Sequence, residues 1–400
     1  MKILILTDEY LPESTRNHAR MMHDLAKKFT IEGHNVTVLT PGYKNQGRRI
    51  ILEIFENVQV LRFRTPQIRH RSNAVRAVRE FLLFFNAVSG LKAYSRNLDY
   101  SLCVNYSPTI FFGLVARKIK KNGGFVYLVL RDFFPQWIID NKIISRFSLP
   151  AFAFKFFEYL NYQSSNIIGV QSPANQAAFH EMIKYKCPPT EVLYNWSMKS
   201  LSNYDKDFGR KFLISNNIDA EVILFYGGNI GSAQDMQNII RLCANIRSYK
   251  NAHILLVGQG NQFHMVNDLK RKMNLENLTI HSSITQAEYA SLLLNVSIGL
   301  FSLSQQHTAH NFPGKLLGYM DAGIPILGSV NNSNDLKELV NNEKAGLVTD
   351  NGDDEGFANN AISLILSKDK RVEMGMAANK LLSTTFSTES AANKILGHII

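Results

Sequence analysis

The chain has 400 residues, 45% of them apolar and 19% charged, a soluble-domain composition too long for one ordinary core, so two domains are expected. A net charge of +11 points to nucleic acid, an anionic membrane surface or phosphorylated ligands as partners. The cysteines Cys103, Cys187 and Cys243 are far apart and form no CxxC pair, which excludes a zinc ribbon or a disulfide framework, and no apolar run approaches the ~20 residues of a membrane-spanning helix.

Residues 2–7, KILILT, read as a short apolar strand. The run is too short for a signal-peptide core and Asp8 and Glu9 follow it at once, so the expected location is the cytoplasm. Residues 15–32 place Met22, Leu25, Ala26 and Phe29 at helical spacing before Gly33. NVTVLT (35–40) is the next strand, and SLCVNY (101–106), FVYLVL (125–130) and NIIGV (166–170) repeat the pattern. Basic residues concentrate early, at Arg48, Arg49, Arg62, Arg64, Arg69, His70, Arg71, Arg76 and Arg79, as a solvated face or an anion-facing one. The stretches 74–98 and 146–160 mix arginine with phenylalanine and leucine. Each suits a core-facing helix or one lying on an anionic bilayer. No RNA-binding signature accompanies them, so nucleic acid is not expected.

A boundary is expected near 186–206, where periodicity fades and turn formers gather. Beyond it a second strand series begins: EVILFYGG (221–228), AHILLVGQG (252–260), LTIHS (278–282), VSIGLFS (296–302) and IPILGS (324–329). Continuous apolar strands separated by helices imply parallel sheets covered on both faces. The expected division is 1–195, 196–385 and a closing helix over 386–400 that packs back on the first domain.

Ligands of such sheets bind beyond the carboxyl ends of the strands. FYGGNIGSAQDMQNII (225–240) is a strand, a glycine turn and a helix expected to start near Ser232. Its turn, Gly228-Asn229-Ile230-Gly231, suits a diphosphate approached by backbone and helix dipole, or is a plain tight turn. GGxxG is not the dinucleotide fingerprint, so NAD is not expected. VGQGNQ (257–262) adds a second glycine turn at Gln259. In HNFPGKLLGYMDAG, Lys315 follows Pro313-Gly314 at a helix start, where a cation suits an anion's neighbourhood. Ser333 or Asn334 caps a later helix and bounds the same pocket. In the first domain, LVLRDFFPQW (128–137) sets Arg131 and Asp132 at a strand end. Asp132 positions an acceptor hydroxyl or acts as a base, or the pair is structural. The DKD of 205–207 reads as helix-start charge rather than a metal motif, and no histidine spacing suits a metal. Neither metal nor cofactor is expected.

These stretches, with MKILILTDEYLPESTRNHARMMHDLA, VQSP (170–173) and VLYNW (192–196), resemble the retaining glycosyltransferases of family four. They look most like the branch that transfers N-acetyl-L-fucosamine in O-antigen and capsule assembly. The resemblance implies an α/β fold of the GT-B type, two Rossmann-like doubly wound domains facing across a cleft. It implies a UDP-sugar substrate, first UDP-N-acetyl-L-fucosamine, and a polyprenyl-diphosphate-linked sugar acceptor at the cytoplasmic membrane face. By that resemblance Arg16 and His18 face the cleft, His18 and Asp132 lie on the acceptor side, the main chain at Ser283-Ile284 holds the uracil, and His310 touches the donor sugar. The family's usual glutamates are absent, with Gly318 and His310 in their places. Its usual diphosphate-gripping Arg and Lys are missing too, near Asn229 and Gln234. The competing readings are a sugar-nucleotide 2-epimerase of the same fold and a periplasmic-type sugar-binding protein.

Overall fold

The computed structural model describes residues 1–399 except 15, 67–72, 95–97, 108, 141, 202–203, 307–311 and 333, and only the backbone of 73–78 and 137. The chain divides into two compact units, Met1–Asn195 with Thr388–Ile400, and Trp196–Ser387.

The first unit runs β1 (Lys2–Leu6), α1 (Asn17–Ile31), β2 (Asn35–Pro41), β3 (Ile50–Phe55), β4 (Val58–Phe63), α2 (Asn73–Tyr94), β5 (Leu102–Tyr106), α3 (Gly113–Lys121), β6 (Phe125–Val129), α4 (Gln136–Asp140), α5 (Leu149–Gln163), β7 (Ile167–Val170), α6 (Pro173–Met182) and β8 (Thr190–Val192). Its sheet order is β3-β4-β2-β1-β5-β6-β7-β8. All neighbours are parallel except the β3–β4 pair. That hairpin was not expected from the sequence. Its two-residue turn, Glu56-Asn57, has both φ values positive, at 46° and 67°, which matches the twist of an antiparallel pair. β1 lies at the centre, with Ile5 between Val38 and Val104. Leu4, Leu6, Leu39 and Leu61 pack with Leu83, Ala87 and Leu91 of α2 and Val115 and Ile119 of α3. One residue of the expected basic face is misplaced: Arg62 is buried in β4, bonded to Glu53 at 2.6 Å and lying over the Tyr43 ring. Arg69, His70 and Arg71 lie outside the described residues.

The second unit runs α7 (Asp207–Ser215), β9 (Val222–Asn229), α8 (Met236–Asn245), β10 (Ala252–Gln259), α9 (Phe263–Lys272), β11 (Leu278–His281), α10 (Gln286–Leu293), β12 (Ile298–Ser302), α11 (Lys315–Ala322), β13 (Ile326–Val330), α12 (Asp335–Asn342), β14 (Gly346–Asp350), α13 (Asp354–Leu366) and α14 (Lys368–Thr384). Its order is β11-β10-β9-β12-β13-β14, all parallel. This is the doubly wound dinucleotide-fold order, and it reverses between β9 and β12. Leu224, Ile254, Leu256 and Leu300 pack with Ile239 and Cys243 of α8 and Ala361 and Leu364 of α13. Asp205 accepts from the Asp207 amide at 3.0 Å as α7 begins, so the DKD residues serve a helix start.

The last helix, α15 (Thr388–Leu396), belongs to the first unit. Glu389 pairs with Lys28 of α1, Lys394 donates to the Val192 carbonyl, and the His398 ring stacks on Phe125.

Candidate functional site

The reversal between β9 and β12 places two ends side by side. β9 finishes in Gly227, Gly228 and Asn229; β12 finishes at Ser302, and the chain then leads to Lys315 at the start of α11. Gly228 has φ of +121°, open to glycine and strained for other residues. A side chain there would point at Lys315, whose Nζ would lie 3.8 Å away. The neighbouring turn is just as tight. A Cβ on Gly258 would meet the Gly228 oxygen at 1.7 Å, and one on Gly260 the Ile230 oxygen at 2.2 Å. The Ile230 amide donates to the Gln259 carbonyl at 2.9 Å. Gly228, Asn229, Ile230, Gly231, Gln259 and Lys315 thus gather at one place, from segments far apart in sequence.

Lys315 has an unusual setting. Its Nζ lies 3.3 Å from the centroid of the Tyr226 ring, and among the described residues no carboxylate pairs with it. Part of the residue still reaches water, yet protein atoms crowd the ammonium. Desolvation holds its pKa well below the usual lysine range. An ammonium so placed attracts an anion. Tyrosines complete the wall. Tyr289 packs against Gly227, where a Cβ would meet its ring at 2.3 Å. Tyr319 accepts from the Gly227 amide and donates to the Leu300 carbonyl.

The helix dipole does not contribute as expected. Ser232–Gln234 form a short 3-10 turn, and α8 starts only at Met236. The Ser232 amide is taken by Asn261 Oδ1 at 3.2 Å. At the start of α8 stands Asp235, with φ of 44° and its carboxylate accepting from Asn351. An acid already occupies the anion-favouring end, so Lys315 and the turn backbone are left to meet a negative ligand. Asn229 does not reach outward either, since its amide donates to Gln234 at 2.7 Å.

Pro313 and Gly314 lead into α11, with the Leu316 amide donating to the Pro313 carbonyl. Ser283 and Ile284 form the loop between β11 and α10, two strands from β9 in the sheet order. His310 and Ser333 lie outside the described residues. Asn334 caps α12, accepting from Leu336 N at 3.1 Å. A Cβ on Gly318 would meet Leu293 Cδ1 at 3.2 Å and Tyr289 Cε1 at 4.0 Å.

In the first unit, the ends of β1, β5 and β6 gather a second set. The His18 ring stacks on Tyr106, centroids 5.4 Å apart. Its Nε2 lies 3.9 Å from both Asp8 and Glu9. Burial lowers the His18 pKa, and Glu9 opposes this. Arg16 stands at the N-cap position of α1 without a side-chain cap bond and lies 3.5 Å from Glu9, which also accepts from Ser14 Oγ at 2.9 Å. Arg131 points its guanidinium at the carbonyls of Leu130, Gly169 and Tyr194, tying strand ends together. Burial lowers it to about 10, still charged at neutral pH. Asp132 is exposed by its surface yet ringed by protein. That crowding raises its carboxyl above the usual range, against the lowering pull of Arg131. Sequence reasoning had not assigned Asp8, Glu9 or Tyr106 to a site. Their position directly after apolar strands was the available signal.

Residues 210–381 match the family described as glycosyl transferases group 1. This match lies within the second unit. The chain is 22% identical over 238 residues to N-acetyl-alpha-D-glucosaminyl L-malate synthase of Bacillus anthracis, spanning 58% of each chain. It resembles the solved sucrose-phosphate synthase of Thermosynechococcus elongatus, TM-score 0.70 at 17% identity, over 100% of this chain and 98% of that one. It also resembles Anabaena Alr3699/HepE, solved with UDP and glucose, TM-score 0.68 at 15% identity, over 100% and 99%. The chain shares with the solved proteins the two-domain Rossmann-like fold of the GT-B type. None of these named proteins is an epimerase.

Proposed function

We propose that the enzyme transfers a sugar from a UDP-sugar to a sugar linked to polyprenyl diphosphate, at the cytoplasmic face of a membrane. The observation that carries this is Lys315, crowded over Tyr226 beside the Gly228 turn with no carboxylate partner among the described residues. A diphosphate supplies the charge that this ammonium lacks. The Anabaena protein is solved in complex with UDP and glucose, which supports a uridine nucleotide here. UDP-N-acetyl-L-fucosamine is the donor we put first. Glycine in place of the ribose glutamate and histidine in place of the sugar-contacting one leave a contact set altered from the family's usual pattern, as a 6-deoxy L-sugar with differently directed hydroxyls needs. On the acceptor side, His18 and Asp132 hold or deprotonate the attacking hydroxyl. Lys315 neutralises the diphosphate, so turnover needs no metal.

The membrane part rests on exposed apolar side chains. Phe147 and Leu149, ahead of and at the start of α5, are 81% and 85% exposed, with exposed Arg146 beside them. Among the described residues no helix is long and apolar enough to cross a membrane. The deciding experiment is a donor screen with membrane extract, reading UDP release and the mass of lipid-linked product. Release of UDP only when acceptor lipid is added supports the reading. Interconversion of donor epimers without acceptor would replace it with an epimerase.

A further inference from the structure

Three exposed rings of the first unit, Phe81, Phe85 and Phe156, form the outer end of an unbroken series of aromatic contacts. Phe134, two residues after Asp132, lies 5.2 Å from Phe154 of α5. Phe154 meets Phe111 at 6.4 Å, and Phe111 meets Phe157 at 5.1 Å. Phe157 meets Phe81 of α2 at 5.5 Å, and Phe81 meets Phe85 at 5.4 Å. Phe111 is buried, whereas Phe85 is 52% exposed, as is Phe156 at 57%, in ring contact with Phe157. A core filler ends where the core ends. This series runs from Phe134, two residues along the chain from Asp132, to open surface, where monomers rarely leave contiguous apolar area without use. The outer end is also cationic: Lys118 Nζ lies 5.7 Å from the Phe84 ring, which touches Phe85, and Lys92 is close enough to Lys118 to oppose its charge.

We propose that this aromatic track seats the hydrocarbon tail of the acceptor lipid, leading its sugar to Asp132 while Lys118 and Lys92 face the anionic surface from which the lipid is drawn. The inference rests on the lipid-linked acceptor reading and adds where the tail goes. A face used only for docking on a bilayer needs the exposed rings but no continuation to Phe134. The continuation favours a single amphiphile lying along the track.

The test uses the full chain and a benzophenone-tagged geranylgeranyl diphosphate, with crosslinked peptides read by mass spectrometry. Crosslinks are expected in α2 and α5. Farnesyl diphosphate should compete at least about tenfold better than inorganic diphosphate. Phe154→Ser, in mid-track, should weaken farnesyl competition about tenfold, and Phe154→Leu should restore most of it. Should Phe154→Ser fail to fold, exposed Phe85→Ser carries the same expectation. Phe147→Ser, outside the ring series, should leave competition unchanged. Equal competition by inorganic diphosphate, or crosslinks confined to segments away from α2, α5, Phe111 and Phe134, would overturn the proposal. So would anionic vesicle binding with no farnesyl competition, which would mark a docking face alone. Crosslinking on the track combined with efficient transfer to a tailless soluble sugar would instead sink the lipid-acceptor reading, so the two failures are distinguishable.

Discussion

The ammonium of Lys315 sits 3.3 Å from the centroid of the Tyr226 ring, at the end of the strand that Tyr226 helps to form. The ring face is the nearest compensation for a charge that has left water. Such contacts contribute about 0.5–2 kcal/mol, less than a bound diphosphate offers. A charge-assisted hydrogen bond is worth about 1.5–3 kcal/mol, and each 1.4 kcal/mol is tenfold in affinity. Lys315→Ala is therefore expected to weaken UDP binding about 10- to 150-fold by calorimetric titration. Lys315→Arg should recover only part, because the longer planar guanidinium does not fit the same spot over the ring. An unchanged Kd for Lys315→Ala would move the phosphate site elsewhere.

The depressed pKa of Lys315 makes a second prediction, on stability. Its folded value lies well below 10.5, the ordinary value of a lysine. Between the folded value and 10.5 the unfolded chain therefore binds the extra proton. In that window stability rises with pH. Below the folded value the penalty is present in full; above 10.5 it is gone. Lys315→Met should melt higher than wild type at neutral pH without UDP, and the gap should close as pH approaches 10.5. Saturating UDP should stabilise wild type more than the variant. A melting difference independent of pH would place the lysine in an ordinary solvated setting.

Much of this architecture was legible in the sequence, because buried parallel strands read as continuous apolar runs. EVILFYGG and AHILLVGQG became β9 and β10 almost residue for residue. The β3–β4 hairpin was missed because its outer strand is an edge with mixed exposure, and its turn, Glu56-Asn57, lacks the usual glycine. The start of α8 was misplaced because Ser232 looks like a cap, whereas Asn261, from the next turn, takes its amide. Lys315 was legible from its helix-start position. Tyr226 was not: a tyrosine packed in a core and one offering its ring to a cation from another segment look the same along a chain.

Gly258 tests the geometry of the turn pair. Its Cβ position lies 1.7 Å from the Gly228 oxygen, a backbone atom that cannot swing away. Gly258→Ala must therefore push the end of β9 aside, at about 1–3 kcal/mol, the usual cost of overpacking. Chemical denaturation should show that loss, with UDP affinity falling as Gly228 shifts away from Lys315. Full stability and unchanged affinity together would mean that the two turns are further apart than described.

Chelation tests the role given to Lys315 from another side. Among the described residues no group of three or more histidine, cysteine or acidic side chains gathers to hold a metal ion. With Lys315 at the diphosphate, turnover of a UDP-sugar is expected to persist in excess EDTA. Loss of activity that Mg²⁺ or Mn²⁺ restores would contradict this and make the nucleotide's charge the metal's concern.

Asp132 carries the last prediction, because the proposed reading puts two titratable groups, Asp132 and His18, on the acceptor side. Burial raises the Asp132 carboxyl from its usual value, and burial lowers the His18 imidazole from its own. A single acid limb in the wild-type pH–rate profile therefore cannot name its owner. Variants can. If Asp132 is the base that takes the acceptor proton, its active form is the carboxylate. Activity is then lost as pH falls through its raised pKa. Asp132→Asn should lower kcat about 10²- to 10⁴-fold, the usual contribution of a positioned acid or base, and flatten that limb, with UDP affinity unchanged. His18→Gln should keep the limb and raise the acceptor KM, since its ring lies on Tyr106 between Asp8 and Glu9. A limb that survives Asp132→Asn and disappears in His18→Gln would exchange the two roles.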